Sequence, residues 1–414
     1  MNAEHENKVR TLNFIRFLDE ARWTIRHDEK VSESYDIPNY ANRNMSAEQK
    51  LLTHFLGYIT NRQISYKFVF AKLDFIFSQM VSDFDTHPAY DLLLDPGKYF
   101  DHEGDGKNKK GGFKACRLMD DQAQYWEDKR LRGEQITASS RFFPTDFVGI
   151  FCALEVLAHF TGKSFAAYIR KCLALAAPER EMEYLLYGLW LLGYSDIGQW
   201  KTEDLDPKAI QDRCLVRKYA AIGSFFDGGG IPESFRKELY KNKRLTCFVR
   251  DLLKCEHFRS LFSEIVSPQT MDHLQDQRHL LELPGDVWNN NSSFRECFLQ
   301  KVNIDTSPKE HFNKVVRDIY EKAWDELSVD KNSYYPEQLD TTFDFVPRMC
   351  EQNGQTNCRY CPLKREDGKI AEEFCVAEHD DKFCPFLLYA CGYKVPCREM
   401  RNCPNKQLSK REAL

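Results

Sequence analysis

The sequence predicts a mainly α-helical protein that ends in a short, irregular, cysteine-rich module. Apolar residues recur at three- and four-residue steps through most of the 414-residue chain, which is the spacing of one helix face. The sequence has no convincing parallel-sheet alternation and no internal repeat. Eight of the fifteen cysteines fall between residues 350 and 403, so the thiols are concentrated in one short segment.

Composition limits the classes of protein to which this chain can belong. Its 42% hydrophobic and 13% aromatic residues are typical of a folded core. A net charge of −5 excludes general attraction to nucleic acid but allows local basic patches. The most apolar stretch, residues 184–194, is too short to span a bilayer, and residues 1–14 lack the apolar run of a secretory signal. We expect a cytoplasmic protein without a membrane partner, where clustered cysteines favour metal binding over disulfides.

Helix-start signals appear early in the chain. Ser46 is followed three residues later by Gln49, which predicts a capping box at the first of two helices over residues 46–82. From Phe147 the apolar pattern predicts a long helix that breaks near Gly162 and then resumes.

Later segments follow the same pattern. Residues 180–194 are apolar on most sides, which predicts a buried helix. Residues 307–327 predict an amphipathic helix with Ser307 as its cap and Pro308 at its first position. His54 and His159 lie within apolar helical patterns and are expected to be core or edge histidines.

The cysteines of the last segment number enough for two four-ligand metal sites. They are Cys350, Cys358, Cys361, Cys375, Cys384, Cys391, Cys397 and Cys403. Zinc takes a tetrahedral cage of four thiolates, and a 4Fe-4S cluster also takes four cysteines. This segment has a single CxxC, at Cys358 and Cys361, so the spacing leaves both metals open.

The first four cysteines resemble a known iron–sulfur loop. The string C-x7-C-x2-C-P-L from Cys350, followed by Cys375, resembles the 4Fe-4S loop of helix-hairpin-helix DNA glycosylases of the endonuclease III and adenine-glycosylase groups. The first gap is one residue longer than in that family, and the last gap is much longer. The resemblance implies a 4Fe-4S cluster in the first quartet and leaves zinc or a second cluster for the second quartet. A structural zinc module is the alternative.

The resemblance extends to a basic segment upstream. KRLTCFVRD, within the expected helix over residues 238–254, is similar to a K-R-L-x-x-F-x-R-D/W pattern of that superfamily. Residues 233–259 carry eight Lys or Arg against four Asp or Glu. The resemblance implies phosphate contacts to double-stranded DNA. The expected residues are Lys241, Lys243, Arg244, Arg250, Lys364, Arg365, Lys394, Arg398 and Arg401. A solvated charged helix face is the alternative, and the L-P-G-x-G hairpin of the family is missing.

A catalytic carboxylate is also implied. PGDVW resembles a P-x-D-x-H segment of the family, whose Asp corresponds to Asp286, while Trp288 replaces the His. A second register places Asp305, in NIDTS, at the same position. Lys243 would be the Schiff-base nucleophile of a bifunctional member. The implied reaction is hydrolysis of the N-glycosidic bond of a flipped base. The alternative is that LPGD is an ordinary turn.

Together these features predict a multi-helix, two-lobed architecture like that of the helix-hairpin-helix glycosylases. The expected segments are an N-terminal helical region at 1–94, a mobile loop or insertion at 95–113, a helical domain at 114–210, a helix-hairpin-helix-like domain at 211–349, and an iron–sulfur or zinc module at 350–414. Two other functions stay open: a non-catalytic nucleic-acid-binding protein with a structural metal cluster, and a zinc-binding scaffold for protein interactions.

Overall fold

The computed structural model is mainly helical in the residues that it describes, as the sequence predicts. These are residues 3–25, 46–60, 144–193, 215–281, 298–300, 302, 321–327, 335–336, 338–339, 351–352 and 355–356. The chain divides into two compact units, one formed by Glu29–Gln277 and the other by Met1–Asp28 together with Arg278–Leu414. The loop expected at 95–113 and the second helix expected before residue 82 lie outside the described residues.

The capping box is confirmed at the start of α2, Ala47–Thr60. Ser46 Oγ accepts a hydrogen bond from the Gln49 backbone N–H at 3.2 Å, and the Ser46 N–H donates to Gln49 Oε1 at 2.7 Å. Every residue of the last three turns, from 51 to 60, is buried. This short helix is therefore part of the interior of its unit.

The interrupted helix is also confirmed. The α3 helix, Pro144–Thr161, ends where Gly162 takes a φ of 58°, a left-handed conformation that glycine adopts without strain. Ser164 then caps α4, Phe165–Ala174, by accepting a hydrogen bond from the Ala167 N–H.

The buried helix expected at 180–194 is α5, Glu181–Gly193. It packs against α3 and α4 and against four later helices of the same unit, so it lies at the centre of the core. Its leucines at 185, 186, 189, 191 and 192 are at most 2% exposed. Helices α4 and α5 approach closely at Gly188, whose carbonyl accepts a hydrogen bond from the Tyr168 hydroxyl at 2.9 Å.

A short helix and a π-type turn follow. The α6 helix, Val216–Ser224, runs into the turn Phe225–Gly229, where Gly228 has a φ of 88°. Phe225 is buried in the turn, and its ring meets the ring of Tyr187 on α5 at 5.1 Å. This contact holds the turn against the central helix.

The single helix expected over residues 238–254 is two helices. The α7 helix, Glu233–Lys241, ends at Asn242, which has an extended ψ of 96°. Asn242 then caps α8, Lys243–Lys254, because its side chain accepts a hydrogen bond from the Leu245 N–H. Asparagine is among the favoured N-cap residues, which explains the break.

The remaining helices complete the same unit. They are α9, Glu256–Ser263, and α10, Pro268–Asp276. A 3₁₀ turn at Gln277–Leu280 follows, of which Gln277 is the last residue of this unit. Ser267 caps α10, whose first turn contains Pro268. Helix α8 contacts α2, α5 and α9, so it joins the early and late helices of the unit.

The second unit contains α1, Ala3–Ile25, where Phe14, Ile15 and Leu18 are fully buried. Asp19 of this helix accepts a hydrogen bond from Gln338 at 3.4 Å, which joins residues 319 positions apart. Residues 321–326 are helical, in agreement with the end of the helix expected over 307–327; the earlier part lies outside the described residues.

Two short strands also belong to this unit. They are β1, Glu351–Gln352, and β2, Gln355–Thr356, which pair antiparallel.

One unit brings together helices from several of the segments expected along the chain. Helices α2, α5 and α8 were expected in three separate segments, yet α8 packs on both of the others in one unit. Apolar periodicity marks the buried face of each helix but carries no information on which helices share a core, which explains the difference. None of the helices in the described ranges has both the length and the apolar character to cross a membrane.

Candidate functional site

The metal ligands and catalytic carboxylates expected from the sequence lie outside the described residues. They are the eight cysteines from Cys350 to Cys403, together with Asp286 and Asp305. Five cations expected to contact phosphate also lie outside these residues: Lys364, Arg365, Lys394, Arg398 and Arg401. Within the described part of the chain, no group of three or more His, Cys, Asp or Glu side chains could hold a metal ion.

The hairpin of β1 and β2 lies between the first two expected ligands. Glu351 pairs with Thr356, and Gln352 pairs with Gln355, so two residues, Asn-Gly in the sequence, connect the strands. Asn-Gly is the preferred sequence for a two-residue hairpin turn. In the sequence, Cys350 immediately precedes β1 and Cys358 follows β2 by two residues. The hairpin therefore reverses the chain within the first gap of the cysteine motif.

The basic segment places two lysines where α7 meets α8. Lys241 is the last residue of α7 and Lys243 is the first residue of α8, and both are half-buried. The opposite face of α8 is apolar, since Leu245, Phe248 and Leu252 are fully buried. Every residue of α8 from Leu245 to Leu253 is buried, so the helix is packed into the core of its unit.

The two arginines expected to contact phosphate on α8 are engaged by the protein itself. The Arg244 guanidinium donates to the Ile59 backbone carbonyl at 2.7 Å, which ties α8 to the end of α2. Arg250 is only 4% exposed. A guanidinium so enclosed cannot reach a phosphate at the surface, so Arg250 does not belong to the phosphate-contacting set.

A buried polar cluster joins α2 to α8. Asp251 Oδ2 lies 3.1 Å from His54 Nε2 and also accepts a hydrogen bond from the Tyr58 hydroxyl. His54 stacks on Phe258 of α9, with ring centroids 3.7 Å apart. His54, Tyr58 and Asp251 are each at most 4% exposed. Because it is enclosed, the cluster fastens three helices rather than meeting a substrate.

The two histidines singled out in the sequence occupy the two expected environments. His54 is a core histidine, 2% exposed. His159 lies at the edge, where its ring is exposed and stacks on Tyr219 with centroids 4.4 Å apart.

A second polar cluster fastens the start of α5 to α10. Glu181 receives hydrogen bonds from Gln277 and pairs with His273 Nδ1, both at 2.7 Å. The Gln277 Oε1 in turn accepts from the Met182 N–H at 2.9 Å. Burial alone opposes ionisation of Glu181, but the bonds from Gln277, the backbone and His273 outweigh it, so the pKa of this carboxyl is lowered from 4.5.

An ion-pair network joins the start of α5 to α7. Glu183 lies 2.8 Å from Arg180 Nε and 2.7 Å from Arg236 Nε, and Arg236 also pairs with Glu233. Nearby, burial and the charge of Glu183 raise the pKa of Tyr240 to about 12. Tyr240 therefore stays protonated at neutral pH, which makes it a poor candidate for a general base.

Sequence reasoning missed Tyr58, Asp251 and Glu181 as members of polar clusters. His54 and Tyr58 are four residues apart, so their placement on one helix face was readable. Their partner Asp251 lies 197 positions from His54, and no local pattern connects the two.

No protein-family model matches this chain, and neither does any curated protein or solved structure.

Proposed function

We propose that the cysteine-rich segment binds a 4Fe-4S cluster through Cys350, Cys358, Cys361 and Cys375. The observation that carries this proposal is the β1–β2 hairpin inside the first gap of the motif. An antiparallel hairpin returns the chain to the end at which it entered, a geometry that would favour one site shared by a ligand just before β1 and one just after β2. The gap between Cys350 and Cys358, although one residue longer than in the resembled family, is therefore compatible with two ligands of one cluster.

The contrast with the upstream cysteines supports the same proposal. Cys152, Cys172, Cys247 and Cys255 are buried cysteines of the described part of the chain, each at most 7% exposed. Burial raises the pKa of the Cys172 thiol, and a thiol that stays protonated is a poor metal ligand. These four described residues act as small apolar core side chains, in contrast to the role that we propose for the cysteines of the final segment.

The second quartet, Cys384, Cys391, Cys397 and Cys403, completes a second four-ligand site for zinc or another cluster. Both fit four thiolates. The metals would stiffen the segment that holds Lys364, Arg365, Arg398 and Arg401, and cations on a stiffened segment can contact phosphates.

The activity that we propose is base excision from double-stranded DNA. Asp286 or Asp305 would stabilise the positive charge that develops on the sugar as the base leaves. Lys243 supports this proposal, because it is half-buried at the start of α8, where the backbone N–H groups of a helix start also favour a phosphate. Lys241 lies two residues earlier, at the end of α7. If the enzyme is bifunctional, Lys243 would attack the sugar as a Schiff-base nucleophile.

Excision is tested on a panel of DNA duplexes that each carry one altered base, with strand cleavage in hot alkali as the readout. We expect the wild-type protein to release one of these bases. Either Asp286→Asn or Asp305→Asn should then lower the rate by about 100-fold or more, because it removes the charge opposite the developing cation. The matched control is Asp272→Asn, which changes an exposed carboxylate on α10 and should leave the rate unchanged. Full excision by both variants would refute the proposed roles.

A second candidate is a nucleic-acid-binding protein that keeps the cluster without the chemistry. Trp288 favours it, because it stands where the resembled segment has a histidine. Duplex binding with no release of any base from the panel would select this candidate.

A further inference from the structure

A cluster of aromatic rings reaches the surface where α3, α4 and α6 meet. His159, which is exposed, stacks on Tyr219 at 4.4 Å and 25°. Phe160 meets Tyr219 at 5.9 Å and Phe226 at 5.5 Å, each edge to face. Tyr219, Phe160 and Phe226 are half-buried. We call these four rings the aromatic face.

A cation lies over the aromatic face. Lys171 is exposed, and its Nζ lies 4.2 Å from the centroid of the Phe226 ring and 6.0 Å from that of Phe160. The ammonium group therefore stays beside the rings rather than extending away into solvent. One long, flexible side chain is thus held next to several flat surfaces.

The two segments that carry the aromatic face are positively charged, although the whole chain is at −5. Residues 155–171 and 217–227 contain five Lys or Arg against two Asp or Glu. One of the five, Lys218, is buried against the Leu192 carbonyl, which leaves four exposed or half-buried cations. One of the two acids, Glu155, accepts a hydrogen bond from the Tyr219 hydroxyl at 3.1 Å.

We propose that the aromatic face binds an unpaired stretch of nucleic acid, with a base stacked on the outer side of His159 and a phosphate at Lys171. Rings beside cations suit this ligand because every base has a flat π surface and every linkage carries a negative charge. An acidic peptide would use the cations but not the rings. The proposal rests on the proposed function for the class of ligand, but it uses residues outside the Lys241 and Lys243 region.

The test compares two fluorescein-labelled probes by anisotropy, using the full-length protein purified with its metal. One is an oligothymidylate of about 20 nucleotides, longer than a typical single-strand site, and the other is a duplex of equal length. His159→Ala should weaken oligothymidylate binding by about fivefold or more, as expected for a lost stacking contact. His159→Phe keeps an aromatic ring and should retain the affinity. Duplex affinity should be unchanged.

Lys171→Ala provides an independent readout. It should reduce the slope of log Kd against log salt by about 0.7, which corresponds to one phosphate contact on a single strand. Lys322→Ala changes an exposed lysine outside the aromatic face and should leave affinity and slope unchanged. Circular dichroism checks that each variant is folded. If His159→Ala does not fold, Lys171→Glu is measured in its place.

The outcomes separate this proposal from the proposed function. Unchanged oligothymidylate affinity and salt slope in the folded variants, with duplex binding intact, would overturn only the role of the aromatic face. A wild-type protein that binds neither probe would overturn both.

Discussion

Asp251 connects its helix, α8, to α2 through two donors, His54 and Tyr58, that both point at one carboxylate oxygen. Such a group is stabilising only while it stays hydrogen-bonded, because a buried carboxylate without donors costs several kcal/mol. Lys218 is likewise a buried charged group that is stabilised by a hydrogen bond. It is 1% exposed and donates to the Leu192 carbonyl at 2.6 Å. A cation at the C-terminal end of α5 is favoured by the helix dipole.

Glu181 is expected to make the stability of the protein depend on pH. Its pKa is lowered from 4.5, so its contribution to stability is present above about pH 4.5 and is lost as the pH falls through the folded-state value. Glu181→Gln should therefore lower the free energy of unfolding at pH 7 by about 1 to 2 kcal/mol. The variant should also lose less stability than the wild type between neutral and acidic pH. Urea unfolding across this range measures both effects.

The control for this prediction is Glu264→Gln, which changes an exposed glutamate. It should preserve the wild-type pH dependence. Parallel pH profiles for the wild type and Glu181→Gln would contradict the assigned role of Glu181.

At the scale of elements, the close approach of α4 and α5 depends on Gly188. A Cβ added there would overlap Cys172 Sγ and lie 3.1 Å from Cys172 Cβ. Gly188→Ala should therefore destabilise the protein by about 1 to 3 kcal/mol through overpacking. Cys172→Ala, combined with Gly188→Ala, should recover part of this loss because it removes the sulfur. Thermal unfolding of the single and double variants measures the coupling.

Gly223 on α6 is the matched control, since a Cβ there would meet nothing within 4 Å. Gly223→Ala should be neutral or mildly stabilising, because alanine restricts the unfolded chain. Equal destabilisation by both alanines would show that helix glycine in general, rather than the contact with Cys172, sets the cost.

The elements that sequence reasoning located are those with a local signal. Ser46 and Gln49 satisfy each other within one turn, and Gly162 ends α3 by its own backbone preference. Asn242 is a residue type that favours helix caps, and it caps α8. Because the apolar pattern continues on both sides of Asn242, periodicity alone predicts one continuous helix there. The burial of Arg250 depends on packing that its neighbours in sequence do not specify.

At the scale of the whole molecule, the chain begins and ends in one unit. The unit formed by Met1–Asp28 and Arg278–Leu414 combines segments that are far apart in sequence. Segment boundaries inferred along the chain cannot detect this arrangement, since they assume that neighbours in sequence share a core. The hydrogen bond between Asp19 and Gln338 is one contact of that kind.

The cysteines are also distributed between the two units of the chain. The described upstream thiols belong to the core of the Glu29–Gln277 unit, whereas the eight clustered cysteines belong to the range Arg278–Leu414. The central claim is that the clustered thiols bind metal, with iron and sulfide in the first quartet.

Metal and sulfide analysis of the full-length protein, purified without oxygen, tests this claim most directly. The account predicts a brown protein with broad visible absorption and about four iron and four sulfide per chain from one 4Fe-4S cluster. Cys358→Ala combined with Cys361→Ala should remove this iron, whereas Cys152→Ala, which changes a core thiol, should not. A colourless wild-type protein that contains only zinc would contradict the account.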